Sequence, residues 1–285
     1  MKTVGIFPNT DNDIDLLGTM RVIDTLSGIA HILVGRALYE KLAPSIDKKT
    51  AESLTFVDDG ELFSRAEILA VLGGDGTILK AARQCTSQDI AIIGINLGRI
   101  GYMAELELVE VDKLRRVVLG DYNVEKRMLI EVEVGGERLF ALNEAVIGAS
   151  SIFRMVEIGL SCDGNQVNRY RADGLIVATP TGSTAYSMSA GGAVVDPRME
   201  ALIVTPICSH SLNATPLIFS AESELCITNV TAREDALYLN VDGCEMRRLP
   251  YGAQVRIHRS SESVRFIRLK DGGFYEVLYK KMADK

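Results

Sequence analysis

The sequence predicts an α/β N-terminal domain on a mostly parallel, Rossmann-like sheet, followed by an all-β C-terminal domain of β-sandwich type. Three observations predict it. Strand-like and helix-like segments alternate up to about residue 120, which is the pattern of a parallel sheet covered by helices. From residue 121 the texture changes to many short strand-like runs separated by turn residues. Between strand and helix in the first half, an apolar run stops at three glycines wrapped around one carboxylate and one hydroxyl. The expected boundaries are 1–120 and 121–285, with the last segment of the second domain available to pack back on the first.

Taken in order, residues 3–7 are a first strand, 14–27 a helix, 29–34 a strand, 36–42 a helix, 67–72 a buried strand and 77–83 a short helix. Residues 90–95 and 111–119 continue the alternation as strand and helix. Residues 123–134 end in period-two alternation, Gly135-Gly136 supplies a turn, and 138–148 returns as the second strand of a hairpin. Further strands are expected at 155–161, 165–171, 174–179, 201–208, 217–220, 224–230, 237–241, 253–258 and 264–269. No Pro-, Gly- or Ser-rich linker separates the halves, so close packing with a ligand site at the junction is expected.

Bulk composition narrows the function. The chain has 285 residues, 47% of them hydrophobic, which suffices for two ordinary cores. A net charge of -7 excludes a broad electrostatic grip on nucleic acid or an anionic membrane. No apolar segment is long enough to span a bilayer and the N-terminus does not read as a signal peptide, so a cytoplasmic protein is expected. Five dispersed cysteines (Cys85, Cys162, Cys208, Cys226, Cys244) and three scattered histidines (His31, His210, His258) indicate neither a disulfide framework nor a metal cluster, and no residue set is assigned to a metal. Asn213-Ala214-Thr215 and Asn229-Val230-Thr231 match the glycosylation triplet by chance in a chain with no secretion signal.

Three motifs carry chemistry. In Gly73-Gly74-Asp75-Gly76-Thr77 the missing Cβ atoms let backbone N–H groups approach a phosphate, and the helix that follows presents its positive dipole end. A carboxylate among those donors repels phosphate unless it accepts a proton or faces a metal, which makes Asp75 the first candidate for catalysis. The turn alone is structural as often as functional, and it matches neither the P-loop nor the G-x-G-x-x-G fingerprint. Asn143-Glu144 is a polar pair inside a strand-like run, costly if buried without partners, so it lies at an edge or faces a ligand. Thr179-Pro180-Thr181-Gly182-Ser183-Thr184-Ala185-Tyr186 follows an apolar strand. With Ser187 and Ser189 it offers a dense hydrogen-bonding surface, and the Tyr186 ring could carry an adenine. A strand, a Ser/Thr cap and a Gly191-Gly192 helix stop account for part of this block without a ligand.

Together, in this order and spacing, the three motifs resemble the NAD kinase family, and Gly94 to Tyr102 looks like that family's glycine-rich loop after the next strand. The resemblance spans most of the chain. The first motif is shared with phosphofructokinases and lipid kinases, whereas the block from Thr179 to Tyr186 is more particular to NAD kinases. The resemblance implies transfer of a phosphoryl group from ATP, or polyphosphate, to the 2′-hydroxyl of the adenosine ribose of NAD, with Mg²⁺ as cofactor. Phosphoryl transfer depends mainly on positioning and charge stabilisation, which suits a glycine turn with few side chains. A carboxylate with an ordinary pKa of about 4 is ionised at neutral pH, so Asp75 can take the hydroxyl proton.

The resemblance further implies that Gly73, Gly74, Gly76, Thr77 and Lys80 hold phosphates, and that Asn143, Glu144, Thr184, Ala185, Tyr186 and Ser189 hold the adenine and ribose of NAD. Arg171 and Asp173 are expected near the nicotinamide end or a neighbouring subunit, and Arg154 at a cofactor-contacting position. Two departures stand out: Cys244 where many members have glutamine, and Arg99 where they have a small or acidic residue. Expected partners are small-molecule substrates, NAD and ATP or polyphosphate, in a homodimer or homotetramer, with no nucleic acid and no membrane. The alternatives are a lipid or sugar kinase sharing only the first motif, and a non-catalytic NAD(P)-sensing module.

Overall fold

The structure is a computed structural model, and it describes residues 1–86, 89–98, 101–149, 155–210, 214–231, 237–269 and 273–283. The chain forms two compact units, Met1–Lys126 with Val264–Lys285, and Arg127–Ser263.

In the first unit, β1 (Thr3–Pro8), β2 (His31–Gly35), β3 (Leu54–Val57), β4 (Ile68–Leu72) and β5 (Ala91–Asn96) form a parallel sheet in the order β3-β2-β1-β4-β5. Arg265 and Phe266, near the end of strand Gln254–Arg268, pair in parallel with Ala91 and Ile92 and extend the sheet. β4 and β5 are buried along their whole length, which explains why they read as continuous apolar runs instead of alternating ones. The strand order reverses beside β1, since β2 lies on one side and β4 on the other. In open α/β sheets, ligands bind at such a reversal, beyond the carboxyl ends of the strands.

The helix expected over residues 14–27 is interrupted. Asp15 and Leu16 have φ of 53° and 55°, and the α-helix proper is Leu17–Leu26. Its start is set by the buried Asp13 carboxylate, which accepts from the N–H groups of Gly18 (2.7 Å) and Thr19 (2.9 Å).

The second unit is built of two largely antiparallel sheets. One has six strands, in the order Leu217–Ser220, Ala201–Ile207, Gly174–Ala178, Glu144–Ala149, Leu237–Val241, Glu245–Leu249. Opposite it, Asn165–Ala172, Val156–Cys162, Leu225–Asn229 and the first residues of Gln254–Arg268 pair in turn, and the hairpin partner Glu137–Ala141 runs beside residues 130–134. Alternate residues of the two sheets, such as Ile158, Leu160, Leu175, Val177, Leu239 and Val255, meet in one core, so the expected sandwich is present. The other face of the central strand, Ile176 and Ala178, packs with Val195 and Ile203.

Two expected elements differ. Residues 253–258 and 264–269 belong to one strand, Gln254–Arg268, that runs through the polar stretch Ser260-Ser261-Glu262-Ser263. The strand expected over 138–148 is two strands, Glu137–Ala141 and Glu144–Ala149, broken at Leu142 and Asn143. The break has a cause far along the chain, where the Asp242 carboxylate accepts from three successive backbone N–H groups, those of Leu142 (2.8 Å), Asn143 (3.0 Å) and Glu144 (2.9 Å).

Candidate active site

In the first unit, the glycine turn joins β4 to the helix Asp75–Gln84. Its three glycines have different reasons to be there. At Gly73, with φ of 156°, a Cβ would lie 2.5 Å from Thr77 Oγ1, so the fold itself forbids a side chain. At Gly74 and Gly76 a Cβ would meet nothing within 4 Å and φ is not positive, so packing makes no demand for glycine. Open space over helix-start N–H groups is what a phosphate needs. A cavity of about 450 Å³ lies there, lined by Phe7 to Asn12 from the end of β1 and by Gly74, Gly76, Thr77 and Lys80. It stands at the carboxyl ends of β1 and β4, where the strand order reverses. Asn9, which sequence reasoning did not single out, donates through Nδ2 to Thr77 Oγ1 at 3.0 Å and ties the two walls together.

Asp75 opens the helix with a side chain 34% exposed. Oδ2 accepts from the N–H of Tyr102 (2.9 Å) and Oδ1 from the N–H of Met103 (3.0 Å), so the carboxylate plane is fixed by backbone on two sides. Gly101 is what allows this approach, because a Cβ there would lie 2.3 Å from Asp75 Oδ1. Lys281, on the helix Gly273–Ala283, brings Nζ to 3.9 Å from Asp75 Oδ2. Of the loop glycines, Gly101 thus acts on Asp75 itself, whereas a Cβ on Gly94 would meet Ile78 and one on Gly98 nothing within 4 Å. Arg99 and Arg154 lie outside the described residues.

In the second unit, the broken strand puts Asn143 and Glu144 against the start of the Thr179 to Tyr186 block. Thr179 N donates to Asn143 O (2.9 Å), and a Cβ on Gly182 would lie 2.1 Å from that same carbonyl. Among the described residues, Asn143 Oδ1 and Glu144 Oε2 are buried with no hydrogen-bond partner. Native interiors seldom leave such atoms orphaned, and two adjacent ones mark a place for a ligand's donors. Burial pushes the Glu144 carboxyl up to about 7, helped by the charge of Asp242 and opposed by the backbone N–H of Tyr186.

The polar block divides into an inner and an outer set. Thr181, Ser183 and Ser187 are buried and satisfied within the protein: Thr181 Oγ1 accepts from Arg127 Nη1 (3.1 Å), Ser183 Oγ donates to Pro180 O (2.7 Å), and Ser187 Oγ pairs with Thr205 Oγ1 (2.8 Å). These three do not belong to the expected hydrogen-bonding surface, because a short 3-10 turn, Gly182–Thr184, and a four-residue helix, Tyr186–Ser189, turn them inward. Thr184 and Ala185 are half-buried, and Tyr186 and Ser189 are exposed, with the Tyr186 ring open for stacking.

Arg171 and Asp173 are both exposed, and Arg171 Nε lies 3.7 Å from Glu157 Oε1. Cys244 is exposed directly after the Asp242-Gly243 turn that aims Asp242. Among the described residues, one group has metal-like spacing, Glu131, Glu133 and His258, but Arg138 Nε already pairs with Glu131 (3.2 Å) and Glu133 (3.8 Å), which makes it an ion-pair network.

In the first unit, open space over helix-start N–H groups and a backbone-fixed carboxylate beside it are the parts of a phosphotransferase site; in the second, two adjacent buried acceptors without partners offer a place for a ligand's donors. The comparisons name the kind. Residues 18–122 match the ATP-NAD kinase N-terminal domain and residues 142–269 the ATP-NAD kinase C-terminal domain. The chain is 38% identical over 230 residues to an NAD kinase of Desulforamulus reducens, covering 79% of this chain and 80% of the relative. It is 34% identical over 297 residues, the full length of both, to one of Caldanaerobacter subterraneus subsp. tengcongensis. This chain belongs to the NAD kinase family.

Solved structures agree on the fold. A yeast NADH kinase crystallised with NADH superposes with a TM-score of 0.88 at 22% identity, covering 99% of this chain and 88% of that one. An Archaeoglobus fulgidus NAD kinase in complex with ATP gives 0.77 at 24%, covering 99% of both.

Proposed function

We propose that the protein transfers a phosphoryl group from ATP to the 2′-hydroxyl of the adenosine ribose of NAD, forming NADP, with Asp75 accepting the hydroxyl proton. The observation that carries this reading is the Asp75 carboxylate, fixed by two backbone N–H groups at the mouth of a glycine turn whose Gly74 and Gly76 leave room for phosphate. The bond from O2′ to the γ-phosphorus forms as the bond from that phosphorus to the β–γ bridging oxygen breaks. The proton passes to Asp75, and ADP leaves with the electron pair.

Helix-start N–H groups at Gly74 to Gly76 hold the donor's phosphates, and Lys80 meets them as a point charge from the cavity wall. The residues around this cavity also suit Mg²⁺, which binds through one or two carboxylates plus substrate phosphates: Asp11 lines it, with the Asn9, Thr10 and Asn12 side chains beside it. When bound there, Mg²⁺ would neutralise charge on the transferring group, and Asp11 would hold it.

In the second unit, Asn143 and Glu144 accept from the adenosine of NAD, which satisfies two of the three buried side-chain oxygens that lack partners among the described residues. Thr184, Ala185, Tyr186 and Ser189 line the same nucleotide, with Tyr186 as the stacking ring. Arg171 and Asp173 serve the nicotinamide end. The six-stranded sheet ends in Leu217–Ser220 and Glu245–Leu249, edges suited to self-association as a homodimer or homotetramer in the cytoplasm.

The test is NADP formation by purified protein supplied with NAD and Mg²⁺ and either ATP or polyphosphate. Product that requires NAD, a donor and Mg²⁺ is expected; no product with either donor refutes the reading. Turnover of diacylglycerol or fructose 6-phosphate without NAD activity would establish the lipid or sugar kinase alternative instead.

A further inference from the structure

The C-terminal helix Gly273–Ala283 has no role in the site as described so far, yet it ends beside Asp75. Phe274, Val277, Leu278 and Lys281 are half-buried, and their spacing of three, four and seven puts them on one face. Tyr275, Glu276, Tyr279, Lys280 and Met282, on the other side, are exposed. The placement of Lys281 is therefore set by the docking of an amphipathic helix, and a free surface side chain would lack that constraint. Docking is anchored on Tyr102: the Phe274 ring lies 6.3 Å from the Tyr102 ring, and Lys281 Nζ lies over that ring at 4.0 Å.

Tyr102 links the two groups, because its N–H is also one of the two that hold Asp75. Lys281 Nζ is 3.9 Å from Asp75 Oδ2, and the two side chains are 32% and 34% exposed. The ammonium stands in the last turn of its helix, where the dipole favours a cation, so its charge is held from three directions: carboxylate, ring face and helix end. Around the Asp75 carboxylate are thus two backbone N–H donors and one ammonium, which together orient it.

We propose that Lys281 is a positioning residue for phosphoryl transfer: from the C-terminal helix its ammonium, 3.9 Å from Oδ2, keeps the Asp75 carboxylate aimed, which makes that helix a working part of the active site. The inference rests on Asp75 as the proton acceptor. In the reaction the 2′-hydroxyl proton passes to Asp75 and not to Lys281, which keeps its three hydrogens and its charge throughout. The neighbouring cation limits the cost of gathering negative charge where the phosphoryl group arrives.

Purified Lys281→Met, Lys281→Gln, Lys281→Arg and Asp75→Asn test it, by steady-state NADP formation, calorimetric NAD binding and thermal melting. An ion pair near 4 Å at a partly exposed site leads us to expect a fall in kcat of roughly tenfold or more in the Met and Gln variants. KM for NAD and Tm should hold, and the Arg variant should recover most of the lost rate. A kcat within twofold of wild type in Met and Gln overturns the proposal. So does a rise in kcat, which would make the helix an obstruction. An Arg variant as slow as Met, or rate losses that follow Tm in Met and Gln alike, overturns it in favour of a structural role. Activity in Asp75→Asn refutes the base assignment itself, an outcome distinct from all of these.

Discussion

Glu144 offers the sharpest quantitative prediction, because its carboxyl is buried and carries an oxygen with no partner among the described residues. Its pKa rises from an ordinary 4.5 to about 7, first through burial and then through Asp242. Between those values the unfolded chain has released the proton while the folded chain keeps it, so stability falls as pH rises and the full penalty is present above about pH 7. The rise corresponds to about 3 kcal/mol at full effect. Glu144→Gln removes the charge and keeps the shape. Its amide still has an imperfectly satisfied group, so about 2 kcal/mol of stabilisation at pH 8 is expected, a Tm gain of roughly 4–6 °C for a chain of this size. At pH 5, where Glu144 is neutral in the folded protein, wild type and variant should agree to within about 1 kcal/mol. The assay is urea unfolding of the ligand-free proteins at pH 5 and pH 8, with NAD affinity measured in parallel. NAD binding should weaken about tenfold or more in the variant, since a hydrogen bond from a ribose hydroxyl to a carboxylate is stronger than one to an amide. A stability difference that does not change between the two pH values refutes the reasoning.

The glycine turn separates structure from function residue by residue. Gly76→Ala should fold with stability unchanged or raised by up to about 1 kcal/mol, as for any exposed glycine early in a helix, while KM for ATP rises severalfold. Gly73→Ala should cost about 2–4 kcal/mol, visible in Tm, because its Cβ would drive into Thr77. Asp242→Asn should cost about 2–4 kcal/mol and weaken NAD binding, since three backbone N–H groups lose a charged acceptor and the break that presents Asn143 and Glu144 relaxes. Urea unfolding and calorimetry with NAD check both effects together.

The parts of the fold legible in the sequence are those determined locally. β4 and β5 announce themselves as apolar runs because they are buried on both faces, and the turn between β4 and its helix is spelled by its glycines. The segment from residue 48 to 65 shows no period in the sequence, although it holds the helices Lys48–Ser53 and Asp59–Arg65 and the strand β3. Its elements are short and charged, with too few apolar positions to show a period. Ser260-Ser261-Glu262-Ser263 reads as a loop, yet the ladder on either side carries the strand through it. The candidate site divides the same way. Asp75, Asn143 and Glu144 stand out by chemistry that is awkward for their surroundings. Asp242, Asn9 and Lys281 do not, because each acts through a partner far along the chain: Glu144 is 98 residues away, Thr77 is 68, and Asp75 is reached from the C-terminal helix. The break at Leu142 and Asn143 is the clearest case, since local sequence favours a continuous strand and a distant carboxylate interrupts it. Likewise, half of the hydroxyls after Pro180 point inward because the chain there coils into a 3-10 turn and then a four-residue helix.

The central claim is that Asp75 takes the proton from the 2′-hydroxyl while other groups hold the nucleotide. Its most direct test is a single comparison of wild type and Asp75→Asn: the rate of NADP formation at saturating NAD, ATP and Mg²⁺, with NAD affinity measured calorimetrically on the same preparations. Asparagine keeps the shape of the side chain but has almost no basicity. The account predicts a fall in rate of about 10²-fold or more, with NAD affinity within about threefold of wild type. A variant that turns over at close to the wild-type rate, or one that fails only because it no longer binds NAD, would contradict it.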